Sequence, residues 1–488
     1  MNPRLLPLVA GLCGLTLATA AAANVLAPEV MQALQRERVP LEAVSVLVQE
    51  AGSGTTRLTL NAQKPVNPAS LAKLLTTYAA LDQLGPAFTW KTPVWLAGRL
   101  QNGVLEGHVH IQGRGDPKLT LERVWLLVQR LRAMGVTEIR GDIVLDQSAF
   151  AVTETSTAEF DNEPLRPYNV RAQALLLNLH AVIYSFTPDA AAGVARVSAE
   201  PALQGVQVDA SVPLSNGPCN DWRGGLKASV GDSERMRFGG SYPLVCGERA
   251  WPLAYPDPKL YASRLLSSLW RDAGGRFAGS VREGPAPEGV KPTFELTSPS
   301  LSEVVRDINK YSNNVMAQQL LLTLALQQPG ATRATPEAGR DALRQWLSQR
   351  LGESPESLQG VVIDNGSGLS RETRVSAAML GRVLQAAWAS AVMPELMASL
   401  PVNGLDGTLR KAHSSAGMAH LKTGSLRDVA GVAGYVLGAS GKRYVLVAVI
   451  NHPNANAAKP ALDALVQWVI DDAPRMRRPT EPSRRNAQ

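Results

Sequence analysis

The sequence predicts an α/β fold with a β-rich module inserted into it, on three observations. Strand-like apolar runs stand near both ends, long helical periodicities lie between them, and a middle stretch holds short alternating runs broken by Gly, Pro and Asn. At 488 residues, 45% of them hydrophobic, the chain is long enough for more than one core. The expected division is a signal peptide over 1–23, one discontinuous domain over 24–90 and 251–473, the inserted module over 91–250, and a basic disordered tail over 474–488.

The N-terminal segment has a charged start at Arg4, an apolar run from Leu5 to Leu17, and Ala-x-Ala cleavage sites between Ala18 and Ala23. This pattern predicts export, and hence a periplasmic protein. The apolar run is short of the roughly 20 residues that a membrane span needs, and no later segment is apolar for that long. Cys13 does not fit a lipid-attachment site, because bulky Leu12 precedes it. Loss of the signal leaves Cys219 and Cys246 in an oxidising compartment, where pairing is expected; two unpaired thiols are the alternative. A bridge there would contribute about 3 to 4 kcal/mol by restricting the unfolded chain.

Val44 to Gln49 and Thr56 to Leu60 read as a hairpin around Ala51-Gly52-Ser53-Gly54. A helix is expected from near Ser70, with Leu71, Leu74, Leu75, Tyr78 and Leu81 at helical spacing, ending before Gly85-Pro86. Within 91–250 the expected strands are Val104 to Gln112, Ile139 to Leu145, Val194 to Ser198 and Val206 to Val212. Helical periodicity returns over Tyr261 to Ala273, Leu301 to Gln328, Glu337 to Arg350 and Ser376 to Ala389. Val429 to Leu437 and Arg443 to Ile450 are apolar strands, and a helix follows from Pro460 to Ile470. Strands at the two ends sharing one sheet would make the middle module an insertion.

The net charge of +7 is scattered, with no basic stripe interleaved by aromatics, so nucleic acid is not an expected partner. The densest basic run is the tail, with Arg475, Arg477, Arg478, Arg484 and Arg485; it reads as a solvated end with weak attraction to a membrane surface.

Three short motifs carry chemistry. Ser70 and Lys73 stand three apart on one helical face, a nucleophile and a base if burial or a second cation lowers the lysine pKa. Ser312-Asn313-Asn314 precedes an apolar helix and offers a hydroxyl for proton relay and an amide for substrate. Lys422-Thr423-Gly424-Ser425 precedes the apolar strand pair, where a cation and hydroxyls can meet a carboxylate and Gly424 can admit a substrate backbone. Taken singly, these read more simply as a helix cap with a surface lysine, an N-cap, and a turn.

In this order and in these contexts the three motifs resemble those of the penicillin-recognising serine enzymes. The wide gap between Lys73 and Ser312 resembles the class C low-molecular-mass penicillin-binding proteins, the S13 peptidases. Gly113 to Pro117, Gly141-Asp142 with Asp146, Pro167-Tyr168-Asn169, Asn365 to Ser370 and Asp406 to Leu409 also look like that family, over roughly residues 26 to 472. The resemblance implies a β-lactamase/transpeptidase-like domain, an antiparallel sheet flanked by helices. It implies a serine D-Ala-D-Ala carboxypeptidase or D,D-endopeptidase acting on peptidoglycan stem peptides and acylated by β-lactam antibiotics.

The implied roles are nucleophile for Ser70, base for Lys73, proton relay for Ser312 in contact with both Lys73 and Lys422, and substrate alignment for Asn314. Lys422 with Thr423 and Ser425 would take the terminal carboxylate. Tyr311-Ser312-Asn313 also fits the Tyr-x-Asn motif of class C β-lactamases; Ser312 with Asn314 is preferred because of the large insertion. Arg371 and Arg427 are candidates for an acidic group on the stem peptide, or surface charges. No metal or other cofactor is expected, since His108 and His110 alternate on a strand and no His-Glu-x-x-His pattern occurs. A β-lactamase or D-amino-acid esterase on the same fold, and a non-catalytic wall-binding protein, are the competing readings.

Overall fold

The computed structural model describes residues 25–472, apart from 154–155, 233, 353 and 355–357. The expected signal peptide, Cys13 and the basic tail lie outside the described residues.

Both ends of the chain build one antiparallel sheet, in the order Thr56–Leu60, Val44–Glu50, Arg443–Asn451, Val429–Leu437, Ala419–Leu426. Along Arg443–Asn451, Val445, Val447 and Val449 enter one core, and Tyr444, Leu446, Ala448 and Ile450 enter the other. Successive side chains point to opposite faces, and with both faces covered the strand reads as continuously apolar. One face is covered by the helices Pro28–Arg36 and Lys459–Ile470. The other carries Lys73–Leu84, Leu301–Tyr311, Asn314–Leu326, Pro336–Leu351 and Ala377–Trp388. Among the described residues no helix is long and apolar enough to cross a membrane.

The inserted module has its own core, with Val109, Ile143, Phe186, Leu265 and Trp270 in it. Its sheets mix antiparallel and parallel pairings, and Cys219 and Cys246 are bridged within it, with sulfurs 2.00 Å apart. The expected end at residue 250 is corrected by the strand pairing. Residue 250 falls inside Arg249–Ala254, which pairs with Ala181–Asp189. The helix Pro258–Asp272 buries Tyr261, Leu265 and Trp270 in the module core, and Arg276–Phe277, Val281–Glu283 and Phe294–Thr297 join its sheet. The module therefore reaches Thr297. Local periodicity marks an amphipathic helix but not which of two cores its apolar face enters. The module also holds a helix, Leu121–Ala133, which the sequence reading did not separate from the surrounding strands.

The helical stretch expected over Leu301 to Gln328 is two helices, Leu301–Tyr311 and Asn314–Leu326, broken where Ser312 takes a left-handed φ of 57°.

Candidate active site

Ser70 lies in a tight 3₁₀ turn, Ala69–Ala72, and the α-helix proper begins at Lys73. Ala69 has φ of 47°, a left-handed conformation that costs a residue with a Cβ roughly 1 to 2 kcal/mol. Asn67 holds that turn in place. Its Oδ1 accepts from Ala69 N at 2.9 Å, its own N donates to Asn451 Oδ1 at 2.8 Å, and its Nδ2 donates to Ser370 O at 2.9 Å. Gly368, at φ +74°, backs onto the same turn so closely that a Cβ would lie 1.8 Å from Ala69 O. The Gly-rich stretch is thus the wall behind the turn that carries Ser70.

Lys73 is fully buried, and its Nζ has three neighbours: Ser70 Oγ at 2.9 Å, Asn314 Oδ1 at 2.6 Å and Ser367 O at 2.6 Å. Burial, and then the charge of Lys422, hold its pKa well below the ordinary lysine value. A neutral amine has two N–H donors and one lone pair. Amide and backbone carbonyl oxygens only accept, so both donors go to Asn314 and Ser367. In that neutral form the lone pair is left facing Ser70 Oγ, whereas an ammonium donates to all three oxygens. The pull toward the neutral form comes from burial and the Lys422 charge.

Ser312 Oγ accepts from Lys422 Nζ at 2.8 Å, and Lys422 Nζ also donates to Thr423 O at 2.8 Å. Lys422 is fully buried, and burial lowers its pKa to about 7. The expected contact between Ser312 and Lys73 is not among the hydrogen bonds of the described residues, because the three bonding directions of Lys73 are already taken. Asn314 meets Lys73 rather than standing free for substrate, which the sequence reading did not foresee. Of the two overlapping tripeptides, Ser312 and Asn314 reach the lysines. Tyr311 is 64% exposed, and Asn313 caps the next helix by accepting from Met316 N at 3.0 Å.

Ala419–Leu426 is the edge strand of its sheet; Pro401 and Asn403 bond its outer side at Leu421 N and Ala419 O, and the part beyond Leu421, with Ser425 exposed on it, is where an extended peptide can add. Gly424 has a different reason from the one expected. A Cβ there would lie 2.7 Å from Pro68 O and 3.1 Å from Leu71 Cγ, so glycine is needed to seat the strand against the turn that carries Ser70. Arg371 is exposed and stacks over the Phe160 ring at 5.1 Å, beside a cavity of about 430 Å³ between the inserted module and the Asn365–Ser370 stretch. Arg427 is exposed past the end of the edge strand.

Sequence reasoning missed the Ser367 carbonyl, since every residue carries one. The signal that points to it is the pair Gly366 and Gly368, at φ +70° and +74°, which marks a backbone folded for close approach. Among the described residues no group of three or more His, Cys, Asp or Glu is placed to hold a metal.

Known proteins resemble this chain over most of its length. A D-alanyl-D-alanine carboxypeptidase of Actinomadura sp. (strain R39) is 27% identical over 86% of this chain and 79% of its own. The crystal structure of penicillin binding protein 4 (dacB) from Haemophilus influenzae superposes with a TM-score of 0.71 at 23% identity, covering 90% of this chain and 99% of that one. A penicillin G acylated predatory endopeptidase of Bdellovibrio bacteriovorus superposes with a TM-score of 0.52 at 16% identity, over 88% and 92% of the two chains. The model of the D-Ala-D-Ala carboxypeptidase 3 (S13) family matches residues 26–471, and the chain belongs to that family of serine peptidases.

Proposed function

We propose that this chain is a periplasmic D-Ala-D-Ala carboxypeptidase and D,D-endopeptidase, cutting peptidoglycan stem peptides through an acyl-enzyme on Ser70 that β-lactams also form. The observation that carries this reading is the fully buried Lys73 amine, 2.9 Å from Ser70 Oγ and held by Asn314 Oδ1 and Ser367 O.

Ser70 Oγ gives its proton to Lys73 and attacks the carbonyl of the penultimate D-alanine, while the backbone N–H groups of Ser70 and Ser425 receive the oxyanion. Ser312 passes its hydroxyl proton to the departing amine and takes one from Lys422. In deacylation a water replaces the amine and returns a proton to the Ser312–Lys422 relay, and Lys73 returns its proton to Ser70. In the free enzyme and again in the acyl-enzyme the two buried lysines thus hold one proton between them, so neither of these states carries both charges. Thr423 and Ser425 meet the terminal carboxylate, and Arg371 and Arg427 are the candidates for an acidic group further along the stem peptide. An internal D,D-cross-link presents the same scissile bond, so the machinery serves both activities.

Intact mass after incubation with penicillin tests the reading. The expected result is one penicillin mass added to the parent chain and none to Ser70→Ala. No adduct and no antibiotic breakdown would remove the proposal, and rapid breakdown with no adduct would reassign the chain as a β-lactamase. Gly368→Ala is expected to slow acylation by about a hundredfold, because displacing the Ala69 turn moves Ser70 off its line of attack. A time course of adduct formation checks it, and a rate equal to the parent would show that the turn tolerates the shift.

A further inference from the structure

The segment Asp406-Gly407-Thr408 ties the second and third motifs together. Lys310, two residues before Ser312, is buried, and its Nζ lies 2.6 Å from Asp406 Oδ2; Asp406 Oδ1 accepts from Val402 N at 2.7 Å. Gly407, at φ +54°, lies so close to the Ser312 turn that a Cβ would stand 2.6 Å from Lys310 O. One residue on, exposed Thr408 places its Oγ1 2.7 Å from Thr423 Oγ1. Thr408 is thereby fixed from the Ser312 side and touches the strand of Lys422.

We propose that Thr408 is a positioning residue for the substrate's terminal carboxylate, acting through Thr423. This inference rests on the peptidase reading above. Each hydroxyl has one proton. For Thr423 to donate to an anion it must accept from its neighbour, and the neighbour within reach is Thr408. An arriving carboxylate therefore orders the pair as Thr408 Oγ1–H to Thr423 Oγ1, then Thr423 Oγ1–H to the carboxylate, each bond polarising the next. Without Thr408, the Thr423 hydroxyl turns toward other acceptors and gives a weaker, less directed bond. The effect should appear only with ligands that carry the negative charge.

Acylation rates of Thr408→Val and Thr408→Ser with benzylpenicillin and with its methyl ester separate the possibilities. Val keeps the shape and removes the hydroxyl, and Ser restores it. The expected result is a loss of about tenfold for Val with the free acid, through KM more than kcat, little change with the ester, and recovery in Ser. Equal losses with acid and ester, no loss with either, or no recovery in Ser would overturn the role of Thr408 while leaving acylation of the parent intact. A parent chain that takes up no penicillin would instead overturn the peptidase reading and this inference with it.

Discussion

Lys73→Met is expected to slow acylation of Ser70 by penicillin about a thousandfold, the size of effect a positioned general base supplies. Its amine is the group placed at 2.9 Å from Ser70 Oγ, and methionine fills the same space without a base. The substitution also leaves Asn314 Oδ1 and Ser367 O without their donor, at a cost on the order of 1 to 3 kcal/mol. Circular dichroism and a thermal melt therefore accompany the acylation time course. A folded variant that reacts within about tenfold of the parent would show that Lys73 is not the base.

Lys422→Met is expected to separate activity from stability. Activity falls by about a hundredfold or more, since Ser312 loses the proton source of its relay and the anion loses a cation. Stability at neutral pH should rise by about 1 to 4 kcal/mol, because a lysine taken fully out of water, with no anionic partner among the described residues, is replaced by an apolar chain of similar length. The sign of the pH dependence follows from the proton count. The folded pKa is about 7 and the unfolded value lies near about 10.4, so between them the folded chain binds fewer protons than the unfolded chain. Parent stability therefore climbs as pH rises through that window, and the burden of the buried charge is full below it.

The variant should climb less steeply, and Lys73, freed of the Lys422 charge, should titrate higher than in the parent. Urea melts of both proteins at about pH 6 and about pH 9 read this directly, and parallel slopes would contradict it. In the parent, kcat/KM should decline as Lys422 loses its proton near about pH 7, whereas kcat should hold to higher pH, because a bound carboxylate favours the charged lysine.

Much of this protein is legible in the residues themselves, and the reason is locality. Thr56 to Leu60, Val104 to Gln112 and Val429 to Leu437 announce themselves by their composition and turns, and the structure places strands over those same residues. Ser70 with Lys73, Ser312 with Asn314, and Lys422 to Ser425 are short motifs whose order survives in the chain. The S13 family, the α/β fold with its β-rich insertion and the family's peptidase chemistry therefore follow from the residues alone.

What only the tertiary structure decided depends on burial and on contacts between distant segments. Local pattern at residue 250 could not show that Phe294–Thr297 returns to pair with Lys91–Gln101 and carries the module onward. Gly424 looked like room for a substrate and is room for the protein's own Ser70 turn. The charge states of Lys73 and Lys422 are absent from the sequence, because they depend on folding: burial lowers the pKa of both, and the Lys422 charge adds to it at Lys73. Ser367 and Thr408 enter the site through a carbonyl and a hydroxyl brought in from remote loops, so their chemistry is a property of position and not of residue type.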